Sequence, residues 1–432
     1  MRESNQASCR RLLLLLIAVG TPAACEKLSA PDSATGGARV APASAATFNT
    51  TRLTEPDTGP WARIVEGEVG PGSLYALYIP RDWNGDAIYY VHGVRDPALS
   101  VTLDDTTFAN IRDAISPQGF AIAFSSWSRN GEAWKDGSQR VHQLRGLLSA
   151  QLGRNPSRSF LLGSSMGSGI ALRVLQAYPG QYDGALLTCG GVGGMILENQ
   201  YAGDVRVLFD AFYPGALPGS AYWYPPNVPS VTLSQVQTAV QSNPTPLFLI
   251  ASLVQTPLPS VPSGSPLNPS STAFRTLVAS LWTPLRQHSM LINDLSDVMH
   301  GHSFFDNSTT TYALGSNPLL PASQLQPLVD FANAHVARYT ADPSAVNYSE
   351  HYFALTGDLP VPVLTLHNPY DPGMPIFHET ALYAKAAAAG ATEHLLQRLY
   401  PGYGHCAFPA TAVAQNFADL VNWVTTGVKP AS

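Results

Sequence analysis

Short apolar runs alternate with amphipathic stretches along most of this chain, and the alternation predicts strands and helices in turn. Residues 62–69 and 73–79 read as strands joined at Gly70-Pro71-Gly72, a hairpin signal, with Tyr75, Leu77 and Ile79 alternating against the other face. The run 87–91 is continuously apolar, as in a strand covered on both sides. Residues 107–116 carry a helical pattern, 119–124 form another buried strand, and 125–137 read as a polar, glycine-punctuated loop. Val141, Leu144, Leu147, Leu148 and Leu152 then fall at helical spacing. The run 160–162 predicts a short strand. Behind it Ile170, Ala171, Val174, Leu175 and Ala177 predict a helix that stops at Tyr178-Pro179-Gly180, and 182–189 predict one more strand.

From residue 194 to about 359 the pattern changes. Strand-like runs become scarce, prolines concentrate in 214–229 and 257–269, and amphipathic helical stretches appear at 233–240, 273–281 and 325–339. This predicts a mainly helical insertion, 191–359, lying as a lid over the core. A second independent domain is the alternative, but the sheet would interrupt it on both sides. The strand pattern resumes at 361–366 and 393–400, with helices at 377–389 and 409–424. The first core part is then 61–190 and the second 360–432. Strands alternating with helices imply an α/β fold, with a mostly parallel sheet covered by helices on both faces.

Composition narrows this further. With 432 residues, 45% of them hydrophobic and only 12% charged, the chain can bury one large core plus an insertion, or two domains. A net charge of -6, with no basic cluster beyond Arg10-Arg11, argues against a nucleic-acid partner. Four cysteines are too few for a disulfide scaffold, and no Cys/His spacing suggests a metal or cofactor. Residues 1–24 read as an export signal: Arg2, Arg10 and Arg11 precede the apolar run 12–19, and small residues lead to Cys25. That run is too short to span a membrane. Ala23-Ala24-Cys25 resembles a lipoprotein cleavage box, which implies a lipidated Cys25 as a membrane tether; plain secretion to the periplasm or exterior is the alternative. Residues 25–60, rich in Ala, Ser, Thr, Pro and Gly, read as a flexible tether.

The candidate chemistry centres on Gly163-Ser164-Ser165-Met166-Gly167, a G-x-S-x-G match between a predicted strand and a predicted helix. A sharp strand–turn–helix is the context that exposes a nucleophilic serine, and small neighbours at Gly163 and Gly167 relieve its crowding. The helix beginning at the serine would aim its N-terminal N–H groups at an oxyanion. Ser164 is the rival nucleophile, one place early in the motif. Downstream, Asp371 and His405 each sit in a loop after a predicted strand. Asp358 and Glu379 are rival acids, placed before a strand and inside a helix. His367 and His378 are rival bases that read better as hydrogen-bonded structural residues.

The order Ser165, Asp371, His405 and its setting resemble the α/β-hydrolase superfamily over about 61–190 and 360–426. The resemblance implies an α/β-hydrolase fold with Ser165 as nucleophile, His405 as base and Asp371 orienting the imidazole. His92-Gly93-Val94 resembles the family's oxyanion loop, which implies backbone donors at Val94 and Met166; His92 itself reads as loop packing. Some feruloyl esterases and tannases are similar in carrying a cysteine beside the catalytic histidine. That likeness suggests a Cys189–Cys406 disulfide, with two buried thiols as the alternative. The expected activity is ester hydrolysis through an acyl-enzyme on a small-molecule or peptide substrate, with no cofactor. A proline- or tripeptidyl-aminopeptidase-like serine peptidase is the second reading, and a catalytically silent, surface-tethered binding module the third.

Overall fold

The computed structural model describes residues 59–259, 270–316 and 318–431. The expected signal 1–24, all but the end of the tether 25–60, and Cys25 lie outside the described residues. Eight strands form one sheet: β1 (Trp61–Glu68), β2 (Leu74–Pro80), β3 (Ala87–Val91), β4 (Ala121–Trp127), β5 (Ser159–Ser164), β6 (Gly184–Thr188), β7 (Val363–His367) and β8 (Leu395–Leu399). Their spatial order is β1-β2-β4-β3-β5-β6-β7-β8. β2 runs antiparallel to both β1 and β4, and every other neighbouring pair is parallel. The helices are α1 (Thr106–Ile115), α2 (Trp134–Leu152), α3 (Met166–Ala177), α4 (Met195–Phe212), α5 (Leu233–Val240), α6 (Thr245–Leu253), α7 (Thr272–Val298), α8 (Ala322–His335), α9 (Pro343–Tyr352), α10 (Phe377–Ala389) and α11 (Ala410–Thr426).

The continuous apolar runs make sense once the two faces are separated. Along β3, Ala87, Tyr89 and Val91 join the core beneath α2 and α3, whereas Ile88 and Tyr90 join the core beneath α1 and α11. β5 divides the same way, Leu161 to the first face and Phe160 and Leu162 to the second. Successive side chains of a strand point to opposite faces, so a strand covered on both sides must be apolar throughout.

The region read as a polar loop, 125–137, departs from expectation. β4 continues through Trp127 and α2 begins at Trp134, which leaves only 128–133 as connection. Asn130, Glu132, Ala133 and both indoles are buried. Gly137 is not loop punctuation: it lies in α2, where an added Cβ would come 3.0 Å from the Trp127 ring. Two large aromatics anchor a segment whose polar letters suggested solvent.

Six helices, α4 to α9, occupy the insertion among the described residues. α5 starts on a capping box between Thr232 and Gln235 and spans the expected residues. α7 is far longer than 273–281, because it runs straight past Pro284. A mid-helix proline removes one hydrogen bond. Here Leu285, His288, Leu291, Ile292 and Leu295 all bury beyond it, and that packing carries the helix on. Residues from α4 to α8, among them Val205, Phe209, Ile250, Leu281 and Val329, share a hydrophobic core of their own. The end of the insertion behaves differently: Ala345, Phe353, Leu355 and Leu359 pack into the main core, and Arg173 and Gln176 of α3 donate to the carbonyls of His351 and Thr356.

The start of α3 touches the end of β3 so closely that a Cβ on Gly167 would fall into the Val91 and His92 carbonyl oxygens. Val91 ends β3, an interior strand paired with β5, so its carbonyl cannot give way without disturbing the sheet. Gly167→Ala should therefore lower the free energy of unfolding by about 3 kcal/mol, read by urea denaturation against the wild-type protein.

Candidate active site

β5 ends at Ser164, and the chain turns at Ser165 with φ 56° and ψ -127° before α3 begins at Met166. This left-handed conformation is costly for a residue with a Cβ and is held by its surroundings. The Ser165 N–H donates to Thr188 O at 2.9 Å, and its own carbonyl accepts from the N–H of Ser168 at 3.0 Å. The turn lifts the Ser165 hydroxyl to the carboxyl end of the sheet. The His405 Nε2 lies 2.7 Å from the Ser165 Oγ, and His405 Nδ1 lies 2.8 Å from Asp371 Oδ2. The other Asp371 oxygen accepts from the N–H groups of Gly373 and Met374 at 2.8 and 3.0 Å. Asp371 is wholly buried and held at both oxygens.

The loops carrying the acid and the base are laced together. Asn368 donates to Tyr400 O at 3.0 Å and accepts from Ala407 N–H at 2.7 Å, while Gly404 N–H donates to Tyr370 O at 3.0 Å. Cys406 is bonded to Cys189, which ties the histidine loop to the end of β6. Cys189, His405 and Cys406 lie within 4.8 Å of one another, a cluster with metal-ligand character, but both sulfurs are spent in the disulfide. Burial pulls the His405 imidazole down, and the charge and hydrogen bond of Asp371 outweigh it, leaving its pKa above the ordinary value.

The rivals sit elsewhere. The Ser164 hydroxyl bonds Thr188 Oγ1 at 2.9 Å, across to the neighbouring strand. His378 accepts from Gly193 N–H through Nδ1, so its Nε2–H donates to Glu198 Oε2 at 2.9 Å. His367 lies behind the acid: its Nε2 bonds Met374 O at 2.7 Å, and its Nδ1 is 3.3 Å from Glu379 Oε1. Glu379 also accepts from Thr365 and Gln397 at 2.6 Å each. The Asp358 carbonyl accepts from Gln176 of α3 at 3.2 Å, at the start of the approach to β7. His92 stacks on Trp127 with ring centroids 3.6 Å apart, and its Nδ1 and Nε2 lie 2.6 Å from Gly93 O and 3.3 Å from Ser126 O, one of which its single N–H can bond. Burial foremost, with Arg95 nearby, pushes it down to about 4, so it is a neutral packing residue.

Gly93 brings the loop after β3 against the nucleophile: a Cβ there would come 3.1 Å from Ser165 Cβ. Val94 and Met166 both border a narrow, partly enclosed pocket of about 30 Å³ beside the serine. Met166 is the first residue of α3, so its N–H is among those a helix leaves unpaired. Ser165, His405 and Cys406 line a wider, more open cleft of about 600 Å³, which shares Val94 and Gln287 with that pocket. Arg286, Gln287 and Met290 of α7 form part of its wall, so the insertion borders the site directly.

A serine on a strand–turn–helix elbow, at the carboxyl end of a mostly parallel sheet, meets its acid and its histidine in the chain order serine, acid, histidine. The chain has the α/β-hydrolase fold. No model of a known protein family matches the sequence, and no curated protein matches it. Solved structures that are similar include an esterase from Aspergillus oryzae, at 15% identity over 85% of this chain and 80% of that one, with a TM-score of 0.44. Feruloyl esterase B from the same fungus is 16% identical over 85% of this chain and 82% of its own, with a TM-score of 0.43. An esterase from Pyrobaculum calidifontis is 14% identical over 84% and 86%, with a TM-score of 0.40. The assignment of the hydrolase fold rests on the sheet and the elbow themselves.

Two acidic residues at this site escaped the sequence reading. Glu132 was hidden in an apparent polar loop, and Glu198 is a lone acid on the buried face of α4. An acidic residue inside the otherwise apolar start of that helix was the available signal.

Losing the tie between β6 and the histidine loop should matter for stability as well as geometry. Replacing Cys189 and Cys406 together by alanine should lower the unfolding free energy by about 2–4 kcal/mol, measured by urea denaturation.

Proposed function

We propose that this protein is an exported serine hydrolase that cleaves a carboxylic ester through an acyl-enzyme. The observation that carries this reading is the unbroken hydrogen-bond chain Ser165–His405–Asp371 beside an open cleft. In the first half-reaction Ser165 Oγ attacks the ester carbonyl carbon while His405 Nε2 takes the hydroxyl proton. The carbonyl oxygen becomes an oxyanion facing the N–H groups of Val94 and Met166. The tetrahedral adduct collapses, the bond to the leaving oxygen breaks, and His405 returns the proton to that oxygen. A water molecule then repeats the sequence on the acyl-enzyme, releasing the acid and regenerating Ser165. Asp371 holds Nδ1–H throughout and stabilises the imidazolium. A peptidase would use the same atoms with a nitrogen leaving group. A complete hydrogen-bond chain argues against a silent binding module. Export, with Cys25 as an acylated tether, belongs to the same reading, and a disulfide beside the base suits an oxidising compartment.

Ser165→Ala should abolish covalent labelling by a fluorophosphonate and lower turnover by a factor of about 10⁶, since triad members act as a unit. Ser164→Ala should still label. A panel of p-nitrophenyl esters against aminoacyl nitroanilides, run on both variants and wild type, reads ester against amide preference. The reading fails if Ser165→Ala labels and turns over like wild type.

The rate should also follow the His405 proton. The neutral imidazole is the active base, and Asp371 raises its pKa, so kcat/KM should climb with pH through a midpoint above the ordinary histidine value of about 6.5. Asp371→Asn removes the charge that favours the imidazolium. It should move that midpoint down and cut kcat by about 10⁴, measured as a pH–rate profile on a p-nitrophenyl ester.

A further inference from the structure

The narrow pocket beside Ser165 is mostly apolar, lined by Val94, Met166, Leu291, Ile292 and Met374, yet buried polar groups break its wall. Glu132 is 2% exposed, and neither of its carboxyl oxygens has a hydrogen-bond partner. Glu198, 4% exposed, lines the same wall and takes one hydrogen bond, from His378. His288 uses its Nε2–H on Ala221 O at 3.0 Å, which leaves Nδ1 as a buried, unpartnered lone pair. Gln287 Oε1 is likewise buried and unpartnered. The unpartnered buried side-chain atoms on these residues, Glu132 Oε1 and Oε2, Gln287 Oε1 and His288 Nδ1, are all acceptors once Glu132 is ionised. An unmet buried acceptor costs about 1–3 kcal/mol, so a concentration of them beside a nucleophile asks for a ligand that brings donors. A primary ammonium brings three N–H donors and a positive charge.

We propose that this cavity is an ammonium-binding subsite, and that the acyl group of the substrate carries a protonated amine. The assignment to the acyl side rests on the acyl-transfer reading above. The leaving group must take its proton from His405 Nε2, and His405 lines the open cleft. The narrow apolar pocket, bordered by both Val94 and Met166, is left for the acyl chain. A substrate with its amine on the acyl chain places the cation against Glu132 and Glu198, and its methylenes against Leu291, Ile292 and Met374.

The charge state of the empty cavity fits. Burial foremost, then the Asp294 and Glu198 carboxylates, pushes Glu132 up to about 8, with Arg129 opposing. Burial foremost, then Asp371, pushes Glu198 up to about 8. His288 and His378 stay neutral, lowered by burial to about 4 and about 3. The wall thus holds its carboxyls largely protonated near neutral pH, and an ammonium against it supplies the countercharge that lets Glu132 ionise and accept. The insertion sets this arrangement: Asp294 of α7 accepts from Glu132 N–H at 2.6 Å and pairs with Arg129, which pins the Glu132 backbone beneath the lid.

The test compares p-nitrophenyl esters of glycine, β-alanine and 6-aminohexanoic acid with their methyl isosteres (propanoate, butanoate and heptanoate) and the matching hydroxy acids. In wild type at least one amino ester should exceed both its methyl and hydroxyl counterparts in kcat/KM by about tenfold. Glu132→Gln should bring that ratio close to one. Independently of turnover, calorimetry should show hexylammonium binding to the Ser165→Ala protein, hexan-1-ol binding more weakly, and the ammonium preference lost when Glu132→Gln is added. Ester turnover in wild type with no amino preference at any length, and no hexylammonium binding, overturns the subsite. Hexylammonium binding that depends on Glu132, in a protein that neither labels nor hydrolyses any ester, leaves the ammonium site standing and overturns the acyl-transfer reading instead.

Discussion

The turn at Ser165 is the constraint on which the rest of the site depends. A serine at φ 56° and ψ -127° relaxes unless its neighbours forbid it, and here they do. Thr188 holds its N–H, Ser168 and Gly191 hold its carbonyl, and Gly167 lets the first turn of α3 sit against the carbonyls ending β3. These partners come from β6, the loop after it, the end of β3 and α3 itself. The conformation is therefore a product of the assembled sheet and not of the five-residue motif. It presents the hydroxyl and the first N–H groups of α3 toward the same space, which is the geometry an oxyanion needs.

The acid and base reach this turn from the far half of the chain, beyond an insertion of about 170 residues, and two kinds of restraint keep them in register. The parallel pairing of β6, β7 and β8 sets the loops side by side, and the Asn368 side chain with the Cys189–Cys406 bond then fixes their heights. Asp371 is buried at both oxygens, so its carboxylate has one orientation available, and the His405 ring follows it. His367 and Glu379 pack behind it as a buried pair 3.3 Å apart, away from the face that carries Ser165.

The insertion adds to this platform in two ways. Its main body, α4 to α8, has its own hydrophobic core and borders the cleft through α7. Its last segment instead packs against α3 and joins the main core, so the chain is already part of the central body before β7 begins. Through Asp294 the lid also reaches down to the connection between β4 and α2 and holds Glu132 where solvent would otherwise take it. A buried carboxyl without partners is a stability cost, tolerated where a site has use for it.

Much of the core was legible from hydrophobic pattern alone. β3 and α10 fall where periodicity put them, and the other core strands and helices are found within a few residues, because burial on both faces of a parallel sheet leaves apolar runs that local pattern can register. Ser165, Asp371 and His405 were legible because each stands in a loop directly after a strand, and parallel topology sends all such loops to one end. What pattern could not register were contacts between distant segments. The segment 125–137 looked polar, yet Trp127 and Trp134 fold it inward against α2 and β3. α7 looked finished near Pro284, yet packing within the lid core carries it to Val298. Sequence by itself determined the layered sheet and the three residues that form the Ser165–His405–Asp371 hydrogen-bond chain, since both follow from local periodicity and chain order. Only the tertiary structure decided that Glu132, Glu198 and His288, from a loop and two lid helices, would face one cavity beside the nucleophile, because that depends on how separately formed elements pack together.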